Sequence, residues 1–207
     1  MNQPLTFHLA EASESRQGAQ LILLTLHQFG DHLFGFGDHA RAQAALENFF
    51  RLPANRFSYE YTVFARANGE IAGILMLFNR RQMRRSMAVT ALHMFRVYRL
   101  KEVLKFLKLM LPYRNEENIP RDELYIGHLA VAEKYRRQGF GLRLLEYAEK
   151  EARALGKSKL TLLTEIENTS AQALYNKFGF KLTNTIYFPE QQTFAGSAGD
   201  VRMEKIL

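Results

Sequence analysis

A glycine-containing turn between a predicted strand and a predicted helix constrains this chain more than any other feature. The turn is Arg136-Arg-Gln-Gly-Phe-Gly141. The strand is Glu123–Val131, and the helix, Leu142–Leu155, repeats apolar residues at helical spacing and stops before Gly156. Two glycines leave backbone N–H groups uncovered at a helix N-terminus, where the macrodipole favours negative charge. The order of strand, turn and helix therefore predicts a binding site for phosphate or pyrophosphate.

The turn alone is a weak signal, because an ordinary entry into a helix can have the same sequence. Its spacing differs from G-x-x-x-x-G-K-[ST], which disfavours a P-loop nucleotide site. It also differs from G-x-G-x-x-G, since the only other glycine nearby, Gly127, lies twelve residues before Gly139. A second block adds specificity, because another predicted strand, Lys159–Glu165, precedes a predicted helix that begins near Thr169.

The two blocks together resemble the GNAT superfamily of N-acetyltransferases. The matching pieces are L-A-V, Y-R-R-Q-G-F-G, the helix, and E-x-x-N-x-x-A-x-x-L-Y-x-K-x-G-F, and they extend from about Leu124 to Thr185. The resemblance implies an α/β fold with a mixed, mostly antiparallel central sheet of about seven strands flanked by helices. It also implies an acetyl-CoA-dependent enzyme that transfers an acetyl group to a primary amine of a small molecule or peptide.

The same resemblance implies which residues bind acetyl-CoA. The turn would hold the pyrophosphate through backbone N–H groups, with the guanidinium of Arg136 or Arg137 adding charge-assisted contacts. A bulge in the preceding strand, near Leu129, would expose backbone groups to the pantetheine arm. Asn168 would reach that arm or cap the helix that begins near Thr169. The expected cofactor-binding residues are Leu129, Ala130, Val131, Arg136, Arg137, Gln138, Gly139, Phe140, Gly141, Leu142 and Asn168.

Tyr175 is the predicted general acid, because the resemblance places its hydroxyl near the thioester sulfur. The alternative is a buried tyrosine that packs on the sheet. For the general base, the family's usual position aligns with Tyr125. Glu123, one alternation earlier on the same strand face, is the predicted base or a strand-edge charge that faces solvent. His128 lies on the opposite face by strict alternation unless a bulge changes the parity, and water is a further proton acceptor.

Residues 79–119 form a predicted helical, basic insert between the third and fourth strands. Ten lysines and arginines lie between Arg80 and Arg114 against the single Glu102, while the whole chain carries a formal net charge of +7. We expect the apolar face of its second helix to pack on the sheet and the lysines to be solvated. A contact with an acidic substrate, a nucleic acid or an anionic membrane is the alternative. The apolar face comprises Leu100, Val103, Leu104, Leu107 and Leu111, opposite Lys101, Lys105 and Lys108.

The remaining sequence fits one domain, residues 1–207. Leu5–Leu9 predicts a strand, Asp38 predicts a helix N-cap, and Asn68-Gly69 predicts the turn of a hairpin. The chain has no cysteine, which excludes a disulfide framework, and its six histidines show no metal-ligand spacing. No signal peptide or membrane span is recognisable, so we expect a cytoplasmic protein without a metal.

Two other functions stay open at this point. The lack of an obvious general base favours a module that binds acyl-CoA without catalysis. The basic insert favours a nucleic-acid- or ribosome-associated protein, although no RNA-binding motif is present. The sequence determines neither the acceptor nor the oligomeric state, and a dimer is one option.

Overall fold

The computed structural model describes residues 5–110, 119–188 and 197–207. Seven strands form one sheet: β1 (Leu5–Leu9), β2 (Thr62–Ala67), β3 (Glu70–Phe78), β4 (Glu123–Val131), β5 (Lys159–Glu165), β6 (Lys181–Tyr187) and β7 (Gly199–Ile206). Their order is β1-β2-β3-β4-β5-β7-β6. Only the β4–β5 pair is parallel among these neighbours, so the predicted mixed, mostly antiparallel sheet is confirmed.

Six helices flank the sheet: α1 (Ser15–Gly35), α2 (His39–Arg51), α3 (Arg80–Val97), α4 (Leu100–Met110), α5 (Phe140–Ala154) and α6 (Thr169–Phe178). Side chains of α1 to α4 enter the core on one face of the sheet, and side chains of α5 and α6 enter the core on the other. In the described residues, no helix is both long enough and apolar enough to span a membrane.

Local signals in the amino-terminal half have the expected geometry. Asp38 caps α2, because its Oδ1 accepts a hydrogen bond from the backbone N–H of Arg41 at 2.7 Å. Asn68 and Gly69 have φ angles of 52° and 80°, as a type I′ hairpin turn between β2 and β3 requires. Within α1, His27 departs from helical geometry with φ 47° and ψ −137°, which breaks the helix over the middle of the sheet.

A bulge in β4 determines which side chains face each core. Met76 of β3 pairs with His128 and Leu77 pairs with Ile126, so Gly127 is the additional residue. A Cβ at Gly127 would lie 2.8 Å from the Phe78 ring, which explains why glycine is needed there. The bulge lies at Gly127, two residues earlier than the predicted position.

Beyond the bulge, β4 separates from its parallel neighbour. Register pairs between β4 and β5 extend from Glu123 and Lys159 to Ile126 and Leu162. Both strands continue past these residues, and β5 stays paired with β7 as far as Glu165. The sheet therefore opens between β4 and β5 on the carboxyl side of Ile126.

The predicted apolar face of α4 is wrong in its orientation. Val103 and Phe106 are buried, whereas Leu100, Leu104 and Leu107 are 63%, 60% and 49% exposed. The helix has two apolar faces. The face with Val103 and Phe106 is buried, and the face with Leu100, Leu104 and Leu107 is exposed. The Phe106 ring packs against the rings of Phe34 and Tyr98, at 5.6 Å and 6.2 Å between centroids.

The lysines of α4 are exposed, as predicted. Leu111 and Arg114 lie outside the described residues. Of the residues between β3 and β4 that the structure describes, 80–97 and 100–110 are helical. Their status as an insert relative to compact GNAT proteins stays a prediction.

Candidate functional site

The turn before α5 offers uncovered backbone donors. Gly139 is the N-cap of α5, with φ 83° and ψ 0°, and Arg137 also has a positive φ of 59°. In this described part of the chain, the first backbone N–H after Arg136 that donates to a backbone acceptor is that of Arg143, to Gly139 O at 3.3 Å. The N–H groups from Arg137 to Leu142 are thus available to an anion at the positive end of the helix dipole.

The side chains of the turn support its shape. Gln138 Nε2 donates to Lys134 O at 2.9 Å, and Arg136 Nε donates to Val131 O at 3.3 Å. Phe140 is buried and stacks on Tyr135 with 5.6 Å between ring centroids. Phe140 can therefore contribute only backbone groups to a ligand, whereas the exposed Arg137 can also contribute its guanidinium.

Gly141 marks a close approach between α5 and α6. A Cβ at this position would lie 2.9 Å from Cδ2 of Leu174 in α6. Leu142, the next residue, is half-buried. The glycine lets the first turn of α5 approach α6 closely, and the same Cβ would lie 4.0 Å from Cγ2 of Val131, at the end of β4.

Leu129, Ala130 and Val131 lie on the β4 edge of the opening. They pair with Leu75, Ile74 and Gly73 of β3 on one side. On the β5 side, no register pair involves them among the described residues. Their backbone groups on that side are therefore available to an extended ligand, and Leu129 also lines the adjoining cavity.

A cavity of about 440 Å³ continues from the opening to the face covered by α1, α3 and α4. Its size lies within the usual range for small-molecule sites. Most of its wall is apolar or aromatic. Its polar and ionisable side chains include Thr25, His27, Arg56, His128, Glu165, Asn168, Tyr175 and Asp200.

Tyr175 lies in the wall of this cavity and is only 7% exposed. Its ring packs against Phe180 with 5.8 Å between centroids. Burial raises the pKa of the phenol to about 12, which keeps it protonated at neutral pH. The predicted alternative, a buried tyrosine that packs on the sheet, agrees with this burial, and the residue also lines the cavity. Its role as general acid stays a prediction.

Asn168 is the N-cap of α6, which was one of its two predicted roles. Its Oδ1 accepts a hydrogen bond from the backbone N–H of Ala171 at 3.2 Å. The residue also lines the cavity, and the described residues provide no hydrogen-bond partner for its Nδ2. The amide N–H groups are consequently available for the second role, a contact with pantetheine, which stays a prediction.

Glu123 does not lie in the wall of the cavity. Its carboxylate forms an ion pair with Arg202 of β7, and the residue is 3% exposed. The predicted alternative of a charge at the strand edge facing solvent is therefore wrong. Tyr125, two residues along, does line the cavity. The structure thus separates Glu123 from the other candidate site residues, and it removes the direct contact that a general base would need.

His128 is brought into the cavity by the bulge at Gly127. Strict alternation predicted the opposite face, but the additional residue returns His128 to the face of Tyr125. Its Nδ1 lies 2.6 Å from Thr25 Oγ1 in α1. Burial, together with a smaller contribution from the positive charge of Arg56, lowers the pKa of His128 to about 3, so the imidazole is neutral.

Four ionisable residues of the cavity were not found from the sequence: Arg56, His27, Glu165 and Asp200. His27, at the break in α1, contacts Glu165 through a 2.9 Å hydrogen bond that raises the pKa of the imidazole. Asp200 pairs directly opposite Glu165 in the sheet. Burial raises the pKa of Asp200 to about 6, with a further contribution from the nearby carboxylates of Glu165 and Glu167. Only the strand-end position of Glu165 was visible in the sequence, because the other three need the tertiary fold.

Within the described residues, no group of three or more histidine or acidic side chains is arranged to hold a metal ion.

The protein-family model of the acetyltransferase (GNAT) family matches residues 25–180 of this chain. A segment of 61 residues is 39% identical to GCN5-related N-acetyltransferase 6, chloroplastic, of Arabidopsis thaliana, covering 30% of this chain. The match spans only 21% of that relative's length.

Two solved structures are similar over the whole fold. An N-acetyltransferase from Staphylococcus aureus Mu50 has a TM-score of 0.69 at 16% identity, covering 98% of this chain and 100% of that one. PaiA N-acetyltransferase from Thermoplasma acidophilum, solved in complex with coenzyme A, has a TM-score of 0.56 at 13% identity, covering 99% of each chain.

Proposed function

Since the chain belongs to the GNAT acetyltransferase family, we propose that it is an acetyl-CoA-dependent N-acetyltransferase that acetylates a primary amine of a small molecule or peptide. The observation that carries this proposal is the opening between β4 and β5 beyond Ile126. The phosphate-binding turn lies at one end of the opening and the cavity at the other. An extended thioester in the opening would present its reactive end to the cavity.

The turn is the proposed pyrophosphate site. Backbone N–H groups from Arg137 to Leu142 donate to the phosphate oxygens, and the guanidinium of Arg137 adds charge. Unpaired backbone groups of Leu129 to Val131 and the amide of Asn168 bind the two amides of the pantetheine arm. This arrangement uses all the cofactor-binding residues that the sequence predicted except Arg136, whose Nε donates to Val131 O.

The reaction needs one proton donor and one proton acceptor. The amine lone pair attacks the acetyl carbon, a C–N bond forms and the C–S bond breaks, so the sulfur gains a proton and the nitrogen loses one. Tyr175, which is protonated at neutral pH, donates the proton to the sulfur. Asp200, whose buried carboxyl has a pKa of about 6, accepts the proton that the attacking nitrogen loses.

The test is release of free thiol from acetyl-CoA in the presence of primary amines. Replacing Tyr175→Phe should lower kcat about 100-fold, because general acid catalysis contributes on this order. The affinity for acetyl-CoA should not change. The matched control is Tyr147→Phe, because Tyr147 lies in α5 and does not line the cavity. This variant should have native kinetics. Binding of acetyl-CoA without thiol release on any amine would favour the acyl-CoA-binding module instead.

A contact between the α3–α4 surface and an anionic membrane is a second proposal. Exposed apolar side chains lie here among exposed lysines and arginines, a combination typical of interfacial binding. Nucleic-acid phosphates would use the cations alone. The apolar residues are Met87, Leu92, Phe95, Leu100, Leu104 and Leu107.

Sedimentation with vesicles tests this surface. The protein should bind vesicles containing phosphatidylserine and not vesicles of phosphatidylcholine alone. Leu100→Gln and Leu104→Gln should weaken binding even at low salt, whereas purely electrostatic attraction would be insensitive to them. If the protein binds nucleic acid and both leucine variants bind it equally well, the nucleic-acid alternative is favoured.

A further inference from the structure

The imidazole of His128 lies deep in the cavity, on the acceptor side of the opening. The Gly127 bulge turns it onto the face covered by α1, and the residue is only 4% exposed. The ring of Phe57 lies 5.9 Å away, so its surroundings are largely apolar.

The hydrogen bonds of Thr25 fix the tautomer of His128. Thr25 Oγ1 lies 2.7 Å from the carbonyl oxygen of Ile22, which can only accept, so the single hydroxyl proton is donated there. The same oxygen lies 2.6 Å from His128 Nδ1, and it must accept a proton from that nitrogen. His128 therefore carries its proton on Nδ1 and a lone pair on Nε2.

His128 Nε2 is a buried acceptor with no hydrogen-bond partner among the described residues. A buried polar atom without a partner costs free energy, and a ligand that donates to it gains a factor of roughly 5 to 100 in affinity. Burial and the charge of Arg56 keep the ring neutral, so it does not act as a donor at this nitrogen. The cavity therefore selects a ligand with an N–H or O–H group at this position.

The wall around this acceptor selects the remainder of the ligand. It consists of apolar side chains from α1, α3 and α4 together with Phe57. A charged substituent would lose its hydration against these side chains, and a cationic one would also be repelled by Arg56, which lines the cavity next to Phe57. The lining residues that carry this argument are Leu33, Phe34, Phe57, Met94, Phe106 and Met110.

We propose that His128 Nε2 accepts a hydrogen bond from the nucleophilic amine, and that the acceptor is a primary amine with an apolar aliphatic or aromatic substituent. This inference rests on the proposed acetyltransferase function and names its substrate class. The basic insert left an acidic substrate as one alternative, but the residues that α3 and α4 contribute to the cavity are uncharged.

The test compares unbranched alkylamines of increasing length, whose ammonium pKa values are nearly equal. Each buried methylene should raise kcat/KM about fourfold, so hexylamine should exceed propylamine by roughly 50-fold. A preference for ethanolamine or a diamine over hexylamine, or no dependence on chain length, would overturn the inference.

His128→Phe tests the acceptor atom. The variant should lower kcat/KM for hexylamine at least tenfold while acetyl-CoA binding, measured by calorimetry, is unchanged. Thr161→Val is the matched control, because Thr161 Oγ1 is also buried without a partner among the described residues but lies outside the cavity wall. It should keep native kinetics.

The two failures are distinguishable. A chain that binds no acetyl-CoA removes the proposed function and this inference together. A chain that binds acetyl-CoA and acetylates hydrophilic amines, with native kinetics in His128→Phe, removes the inference alone.

Discussion

The two ends of the cleft are built from different groups. The proposed cosubstrate end is mainly backbone, from the turn at 137–142 and the free edge of β4. The proposed acceptor end consists of side chains from helices and strands that are distant in the sequence. Because backbone sites depend on short local segments, they tolerate substitution and can be predicted from a motif. A cavity of side chains depends on how each element is rotated, and a change in one wall alters the site.

The largest expected effect on stability comes from a substitution in α4, which forms part of the cavity wall. Phe106→Ala should reduce the free energy of unfolding by about 3–5 kcal/mol, because it leaves a cavity against Phe34 and Tyr98. Leu104→Ala, two residues away on the exposed side of the helix, should change it by less than about 0.5 kcal/mol. Urea unfolding measures both. Equal losses would mean that the helix buries its leucine stripe, as the sequence suggested.

Asp200→Asn tests the proposed proton acceptor. The change should lower kcat/KM about 100-fold at pH 7.5. The native profile should rise through pH about 6, and the variant should lack this inflection. A variant with the native profile would assign the proton to water or to another residue.

The same substitution should stabilise the fold. Because the folded pKa of Asp200 lies above the unfolded value, stability falls as pH rises from about 3.8 to 6. Asp200→Asn should therefore gain roughly 1–3 kcal/mol at pH 7, measured by urea unfolding.

Individual residues show which parts of the structure could be predicted from the sequence. The bounds of β4 and β5, the turn and the cap at Asn168 follow from periodicity and local hydrogen bonding, and they were predictable. The bulge at Gly127 depends on the Phe78 ring of another strand, so its position was not. One misplaced bulge reverses the parity of every following residue, which is why His128 was assigned to the wrong face.

The sequence also could not predict roles that depend on partners distant in the chain. Glu123 seemed suited to be a base because its strand position is close to the site, but Arg202 of β7 holds its carboxylate. Asp200 gains its raised pKa only through burial beside Glu165 in the folded sheet. Neither partner is close in the sequence, so no local pattern distinguishes the two carboxylates.

His128 predicts a smaller, pH-dependent effect. Its folded pKa of about 3 lies below the unfolded value of 6.5, so the unfolded chain takes up the proton first and stability falls as pH decreases from 6.5 to 3. In the native protein, His128 should lower the free energy of unfolding by about 2–3 kcal/mol between pH 7 and 4.5. In His128→Phe this part of the decrease should be absent. Parallel pH dependence of native and variant stability would show that the imidazole is hydrated.

Calorimetric titration with acetyl-CoA tests the central claim, that the turn before α5 is the cosubstrate site. Gly139→Glu places a carboxylate among the phosphate donors, and Gly156→Glu places it at the other end of α5, at a glycine that is equally open and also has positive φ. We predict micromolar binding in the native chain and in Gly156→Glu, and a loss of at least 100-fold in Gly139→Glu. Equal binding in all three proteins, or none in the native chain, would contradict it.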